Sequence, residues 1–153
     1  MSTERLMGIE NEFAFNAINR TGGVADRQAA LELMGELAET LWVSLPCLSG
    51  SGVFLENGSR LYVDCGQHLE YCTPECTQPW DVVRYLHSCE RMLIQLTTEI
   101  ARRKRFRSAV FYRCNVDYSG TGSTWGTHES YMHCGDPTNF PGDLVPHFVT
   151  RRF

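Results

Sequence analysis

The stretch from Arg60 to Cys76, RLYVDCGQHLEYCTPEC, sets Asp64, His68, Glu70 and Glu75 among the strand-forming residues Leu61, Tyr62, Val63, Leu69 and Tyr71. Carboxylates are disfavoured in strands, and burying one is costly unless it is paired or binds a cation. A second acidic strand opens the chain: in LMGIENEFAF, Leu6 to Phe15, Glu10 and Glu12 alternate with Ile9 and Phe13. Side chains repeat every two residues along a strand, so Glu10 and Glu12 share a face. Two such strands side by side make a floor lined with carboxylates. A hard cation such as magnesium suits that floor, because it prefers oxygen ligands and often carries substrate phosphates.

Each residue has a plainer reading beside the chemical one. Glu10 and Glu12 are either metal ligands or one solvent-facing side of a strand, and spacing does not choose between them. Asp64 ends a strand just before Cys65-Gly66, where a carboxylate points into a cleft as a general base or nucleophile or makes an Asx-type turn contact. Arg60, Tyr62 and Asp64 alternate and so face one way. Arg60 there either grips phosphate oxygens in a bidentate fork or pairs with a neighbouring carboxylate. His68 shares a face with Glu70 if the strand is regular. Glu70, between Leu69 and Tyr71, needs a cation or a hydrogen-bond donor. The loop Ser119 to Gly126, SGTGSTWG, offers backbone amides to a phosphate but lacks the Lys-Ser/Thr ending of a P-loop, and a plain hairpin loop explains it as well. His128, just after it, is a metal ligand, a nucleotide contact or a packed strand histidine.

These residues need elements to hold them. Leu6 to Phe15 reads as a strand. Asp26 offers a helix N-cap, and Ala29, Leu33, Leu37 and Leu41 follow at helical spacing. Ser44 to Gly52 reads as a loop. Val53 to Leu55 and Arg60 to Asp64 form a hairpin across Asn57-Gly58, and His68 to Tyr71 continues as strand. Pro79 to Arg103 is the longest helix, with Val82, Leu86, Cys89, Leu93, Leu96 and Ile100 as its buried stripe. Ala109 to Cys114 and Thr127 to Met132 are strands, and Pro137 to Pro146 is irregular, with no terminal helix. The pattern predicts an α+β fold: a mostly antiparallel sheet with helices on one face.

The 153 residues fit one domain able to bury a core. A net charge of −4 and a pI near 5.7 leave no basic field for nucleic acid; the run Arg102 to Arg107, RRKRFR, reads as a helix end. The first residues show no apolar h-region, and no run of about 18 apolar residues appears that could cross a membrane. The seven cysteines form no CxxC pair, so they are expected to be small core residues of a reducing, cytoplasmic protein. No HExxH motif and no Rossmann glycine fingerprint is present.

Taken in order, Met7-Gly8-Ile9-Glu10-Asn11-Glu12-Phe13, Asn57-Gly58-Ser59-Arg60-Leu61-Tyr62-Val63-Asp64, His68-Leu69-Glu70-Tyr71, Thr73-Pro74-Glu75-Cys76, Asn115-Val116-Asp117, Gly126-Thr127-His128-Glu129-Ser130-Tyr131 and Phe148-Val149-Thr150-Arg151 resemble the Pup ligase and Pup deamidase/depupylase family of proteasome accessory factors. These are carboxylate-amine ligases with a glutamine-synthetase-like fold. The resemblance implies that Glu10, Tyr62 and Glu70 hold magnesium, that Arg60 and Thr73 contact ATP, and that Asp64 is the catalytic aspartate. It sets His128 on the family's His-Glu-Asn segment, here with Ser130 in place of Asn, as a further cofactor contact. His68 is followed by Leu69 where many members have proline.

Members are several times longer, so the resemblance implies that residues 1–153 are the N-terminal part of a curved, glutamine-synthetase-like catalytic domain, incomplete here. The implied partners are a Pup-like modifier and pupylated proteins. Ligase and deamidase remain alternatives, as do a small-molecule carboxylate-amine ligase and a non-catalytic Pup-binding module. Missing strands imply open edges and apolar surface around Val145 to Phe153, hence self-association and no turnover by the isolated chain.

Overall fold

A computed structural model of the chain describes residues 5–41, 44–46, 52–114, 116 and 120–150. Strand β1 (Met7–Ile18) is followed by helix α1 (Arg27–Leu41), strands β2 (Ser44–Pro46), β3 (Gly52–Leu55), β4 (Arg60–Val63) and β5 (Leu69–Cys72), helix α2 (Pro79–Lys104), strands β6 (Ser108–Tyr112) and β7 (Thr127–Tyr131), and helix α3 (Phe140–Thr150). The strands form a seven-stranded sheet in the order β2-β3-β4-β5-β1-β6, with β7 also paired to β1. Every pairing in it is antiparallel. The fold is α+β, as the residue pattern predicts.

β1 organises the sheet because both of its edges are used. One edge takes β5 along Glu10 to Phe13. The other is shared, with β7 on Met7 to Asn11 and β6 on Ala14 to Ile18. This sharing carries β1 three residues past the predicted end at Phe15. Alternation then sorts its side chains. Asn11, Phe13 and Ala17 are buried, while Glu10 and Glu12 project to the opposite face. The register extends the sorting: Phe13 pairs Leu69 and Val63 pairs Leu69 on the covered face, while Glu12 pairs Glu70 and Glu70 pairs Tyr62 on the open one.

Helices α1 and α2 cover the first face. Leu31, Met34 and Leu37 of α1 and Cys89, Leu93, Leu96 and Ile100 of α2 join Phe13, Leu61, Leu69 and Tyr71 in one core cluster. Asp26 starts α1 as expected, its Oδ1 accepting the Gln28 N–H at 3.0 Å. Pro79 opens α2, and Arg102, Arg103 and Lys104 fill its last turn, where they complement the helix dipole. Arg102 and Arg103 also pair with Glu99. The basic run is therefore a helix terminus. No described helix is long and apolar enough to cross a membrane.

Four expectations are corrected. Ser44 to Pro46 is an edge strand rather than part of a loop; proline is tolerated there because an edge N–H has no obligatory partner. Residues 47–51 lie outside the described set. His68 sits in a turn, since Gln67 takes a positive φ of 62° and the Asp64 N–H donates to the His68 carbonyl at 2.9 Å. Pro137 to Pro146 is not irregular: a 3₁₀ turn, Pro137–Asn139, leads into α3. Asp136 caps that turn through Thr138 N–H, and Pro141 falls in the first turn of α3, where its missing N–H costs nothing. Finally, of the described cysteines only Cys76 and Cys89 are buried, and all are free.

Two outcomes follow. Leu96 is fully buried between α2 and the sheet, so Leu96→Ala should lower unfolding free energy by about 2–5 kcal/mol in chemical denaturation. Among the described residues, β6 and β7 have no strand on their outer edges, and Tyr112, Tyr131, Met132 and Val145 are exposed. Size-exclusion chromatography should therefore show concentration-dependent association of the isolated chain; a monodisperse monomer would contradict this.

Candidate active site

The open face of the sheet gathers the ionisable groups of four strands. Glu10 and Glu12 come from β1, Glu70 and Cys72 from β5, Arg60 and Tyr62 from β4, and His128 from β7. In register, Glu10 lies between Cys72 and His128, and Glu12 lies beside Glu70. His128 Nδ1 is 3.3 Å from Glu10 Oε2 and 4.0 Å from Glu70 Oε1. One ligand atom from each of Glu10, Glu70 and His128 falls within 4.8 Å of the others. The Cys72 thiol donates to Glu10 Oε1 at 3.4 Å.

Glu70 is the unusual member. It is 4% exposed, and burial raises its pKa. The Tyr62 hydroxyl opposes that rise by hydrogen bonding, while Glu10 and Glu12 add to it through charge repulsion. Burial also pushes the Tyr62 phenol upward, and it pushes the Cys72 thiol, beside Glu10, to about 12. Among the described residues Glu70 has no Lys or Arg partner; the imidazole of His128, itself exposed, lies 4.0 Å away. A buried carboxyl facing two others is a place that a divalent cation would stabilise.

A second cluster lies next to the first. Glu12, Asp64 and His68 also bring ligand atoms within 4.8 Å of one another. His68 Nδ1 is 3.1 Å from Glu12 Oε2 and 3.7 Å from Asp64 Oδ2. Asp64 Oδ1 accepts the His68 backbone N–H at 2.6 Å, so the turn contact is made and the other oxygen is left toward the imidazole. Trp125 packs its ring 5.3 Å from that of His68, and the Gly126 N–H donates to Glu12 Oε2 at 2.9 Å. A Cβ at Gly126 would come within 2.8 Å of His128 Nε2, so a larger residue here would have to displace the His128 ring.

Arg60 and Thr73 lie in an open cleft of about 570 Å³ that also includes Gly8, Glu10, Phe54 and Ser130. The Arg60 guanidinium stacks on the Tyr62 ring at 4.0 Å, and its buried Nε–H has no hydrogen-bond partner. Thr73 Oγ1 accepts the Ile9 N–H at 3.0 Å; such a hydroxyl still has its own hydrogen to donate.

The structure thus brings Glu10, Glu70 and Tyr62 together, with Arg60 and Thr73 in the adjoining cleft. His128 stands with the carboxylates rather than with Arg60 and Thr73. Asp64 belongs to the neighbouring cluster, joined to the first through the Glu12–Glu70 pair. Sequence reasoning passed over Cys72, and it read Trp125 and Gly126 only as part of a loop offering amides to a phosphate or closing a hairpin. Cys72 was legible from its strand parity with Glu70; the other two are brought in only by the pairing of β7 with β1. Asn115, Asp117, Ser119 and Arg151 lie outside the described residues.

Residues 5–153 match the family model described as Pup-ligase protein. The chain is 32% identical over 160 residues to the Pup–protein ligase of Sanguibacter keddieii, covering 99% of this chain and 33% of that protein. It is 34% identical over 154 residues to that of Acidimicrobium ferrooxidans, covering 97% and 32%. A crystal structure of the complex between prokaryotic ubiquitin-like protein Pup and its ligase PafA is similar with a TM-score of 0.74 at 25% identity, over 97% of this chain and 30% of that one. The chain therefore spans about a third of the length of these relatives.

The sign of Glu70's contribution can be measured. A carboxyl whose folded pKa is raised binds its proton more tightly in the fold, so stability falls as pH rises through that value. Without divalent cations, Glu70→Gln should therefore raise unfolding free energy at neutral pH by about 1–3 kcal/mol, and the gain should vanish at a pH below the carboxylate range. Destabilisation at neutral pH would show that Glu70 acts as a structural anchor.

Proposed function

This chain belongs to the Pup-ligase family, and on that premise we propose that its open sheet face is the magnesium- and ATP-binding part of an enzyme that joins a Pup-like protein modifier to lysine side chains. Glu70 is the observation that carries the reading: a buried carboxyl set against Glu10 and Glu12, with no Lys or Arg partner among the described residues. Glu10, Glu70 and Tyr62 would hold magnesium, which when bound neutralises phosphate charge. The unpartnered Arg60 Nε–H would donate to a phosphate oxygen, and Thr73 would donate its hydroxyl hydrogen to the nucleotide. His128, beside Glu10, would border the same cofactor site.

In the ligase reaction the terminal phosphoryl group of ATP passes to the modifier's C-terminal glutamate carboxylate. A lysine amine then attacks the activated carbonyl, the isopeptide bond forms and phosphate leaves. Asp64 would take the proton from that amine. Its position suits a general base, since one oxygen is fixed by the His68 N–H and the other faces the His68 ring. The carboxylate is thereby oriented before substrate arrives. The names of the matched relatives support a ligase over a deamidase. The free cysteines accord with a reducing, cytoplasmic setting.

Isothermal titration of the chain with ATP should show weak binding that magnesium strengthens and that is lost in Arg60→Ala. In a full-length relative carrying the change at the matched position, Asp64→Asn should cut ligation by about 10²-fold or more while ATP affinity stays within a few-fold. Unchanged ligation would remove Asp64 from the mechanism, and an ATP affinity unaltered by magnesium would remove the metal from the site.

A further inference from the structure

Arg60 is held in an unusual way. Among the described residues it makes no ion pair, although Glu10 and Glu75 line the same cleft. Its guanidinium lies 4.0 Å from the Tyr62 ring centroid and 5.8 Å from that of Phe54, its cross-strand neighbour. Aromatic faces attract a guanidinium without occupying its N–H groups. A carboxylate would instead consume the fork that a phosphate needs. The rings thus fix the cation and leave its donors free.

Tyr62 has a second engagement at its other end. Glu70 is its cross-strand partner on β5, so the hydroxyl end belongs to the side of the sheet proposed above to hold magnesium. Gly52, its partner on β3, takes a φ of 137°, and a Cβ there would sit 2.4 Å from the Tyr62 Cβ. β3 therefore crosses against the base of the tyrosine and crowds it on that side, while the ring lies along β4 over Arg60.

We propose that Tyr62 is a two-ended residue: its ring positions the Arg60 guanidinium for phosphate, while its hydroxyl stands with Glu70 among the groups that hold the divalent cation. One side chain thereby links the phosphate-binding cleft of Arg60 to the adjoining cation site. The inference rests on the nucleotide-and-metal reading above, but the orientation of Arg60 can be tested without any ligand.

The ends separate by substitution. Tyr62→Phe keeps the ring and loses the hydroxyl; Tyr62→Met keeps bulk and loses the ring, and Tyr62→Leu provides a second ring-free variant. In ¹⁵N-labelled chain, the Arg60 Nε–H signal, assigned with Arg60→Lys, should be ring-shifted and slow to exchange with water. It should be unchanged in Tyr62→Phe and should move to the position of exposed arginines, in fast exchange, in the ring-free variant whose amide spectrum shows a folded chain. Pyrophosphate without metal should bind wild type and Tyr62→Phe alike and bind the ring-free variant about tenfold more weakly, between the values for an exposed and a desolvated cation–π contact. Manganese affinity should fall in Tyr62→Phe. A shifted, slowly exchanging Arg60 signal in a folded ring-free variant would overturn the ring's role, and unaltered manganese affinity in Tyr62→Phe would overturn that of the hydroxyl. If wild type binds neither manganese nor pyrophosphate, the ligand reading of the cleft fails and the Arg60 signal alone decides the positioning.

Discussion

Burial of the Glu70 carboxyl against Glu10 and Glu12 sets the terms for the open face of this sheet. Like charges at these separations oppose ionisation together, and desolvation adds to the penalty. The protein does not relieve it with lysine or arginine among the described residues. It supplies only the Tyr62 hydroxyl and, at the margin, the His128 ring. A fold keeps such an arrangement at a cost to its own stability, and a ligand that brings positive charge removes that cost. The neighbouring Arg60, with an unpartnered donor, has the complementary need for negative charge. A metal–nucleotide complex brings both.

The rest of the molecule holds that face against a packed support. β1 pairs on both edges, so the spacing of Glu10 and Glu12 is fixed from both sides. The opposite face of the same strands is closed by α1 and α2 through a core in which Leu37, Tyr71, Leu96 and Ile100 are fully buried. Tyr71 adds a buried hydrogen bond of 2.7 Å to Ser59, which ties β5 to the turn entering β4. Side chains on the covered face therefore determine where Glu70, Tyr62 and Arg60 stand on the open one, because a strand that slipped by one residue would exchange the two faces.

The parts of this arrangement governed by local periodicity were legible in the chain. Alternation placed Glu10 with Glu12 and Arg60 with Tyr62, helical spacing placed α1 and α2, and Asn57-Gly58 placed the β3–β4 turn. What escaped depends on long-range pairing. β2 was hidden by Pro46, which is harmless on an edge. The Asp64–His68 turn depends on Gln67 accepting a positive φ, which its residue type does not announce. α3 was masked by Pro141 and Pro146, one of which sits in a first turn where proline is favoured. The division of the acidic residues into two clusters, with Glu12 shared toward His68 and the Gly126 N–H, arises from β5 and β7 flanking β1, pairings across separations that no short motif encodes.

The central claim is that the Glu10–Glu70–His128 side of the sheet receives a divalent cation. Paramagnetic broadening by substoichiometric manganese, read residue by residue from amide spectra of the chain, tests it most directly. The account predicts that broadening centres on Glu10, Glu70 and His128, spreads to Arg60 and Thr73 when ATP is added, and is reversed by excess magnesium. Broadening centred instead on the exposed acidic residues of α1, Glu32 and Glu36, or spread evenly over the surface, would contradict it.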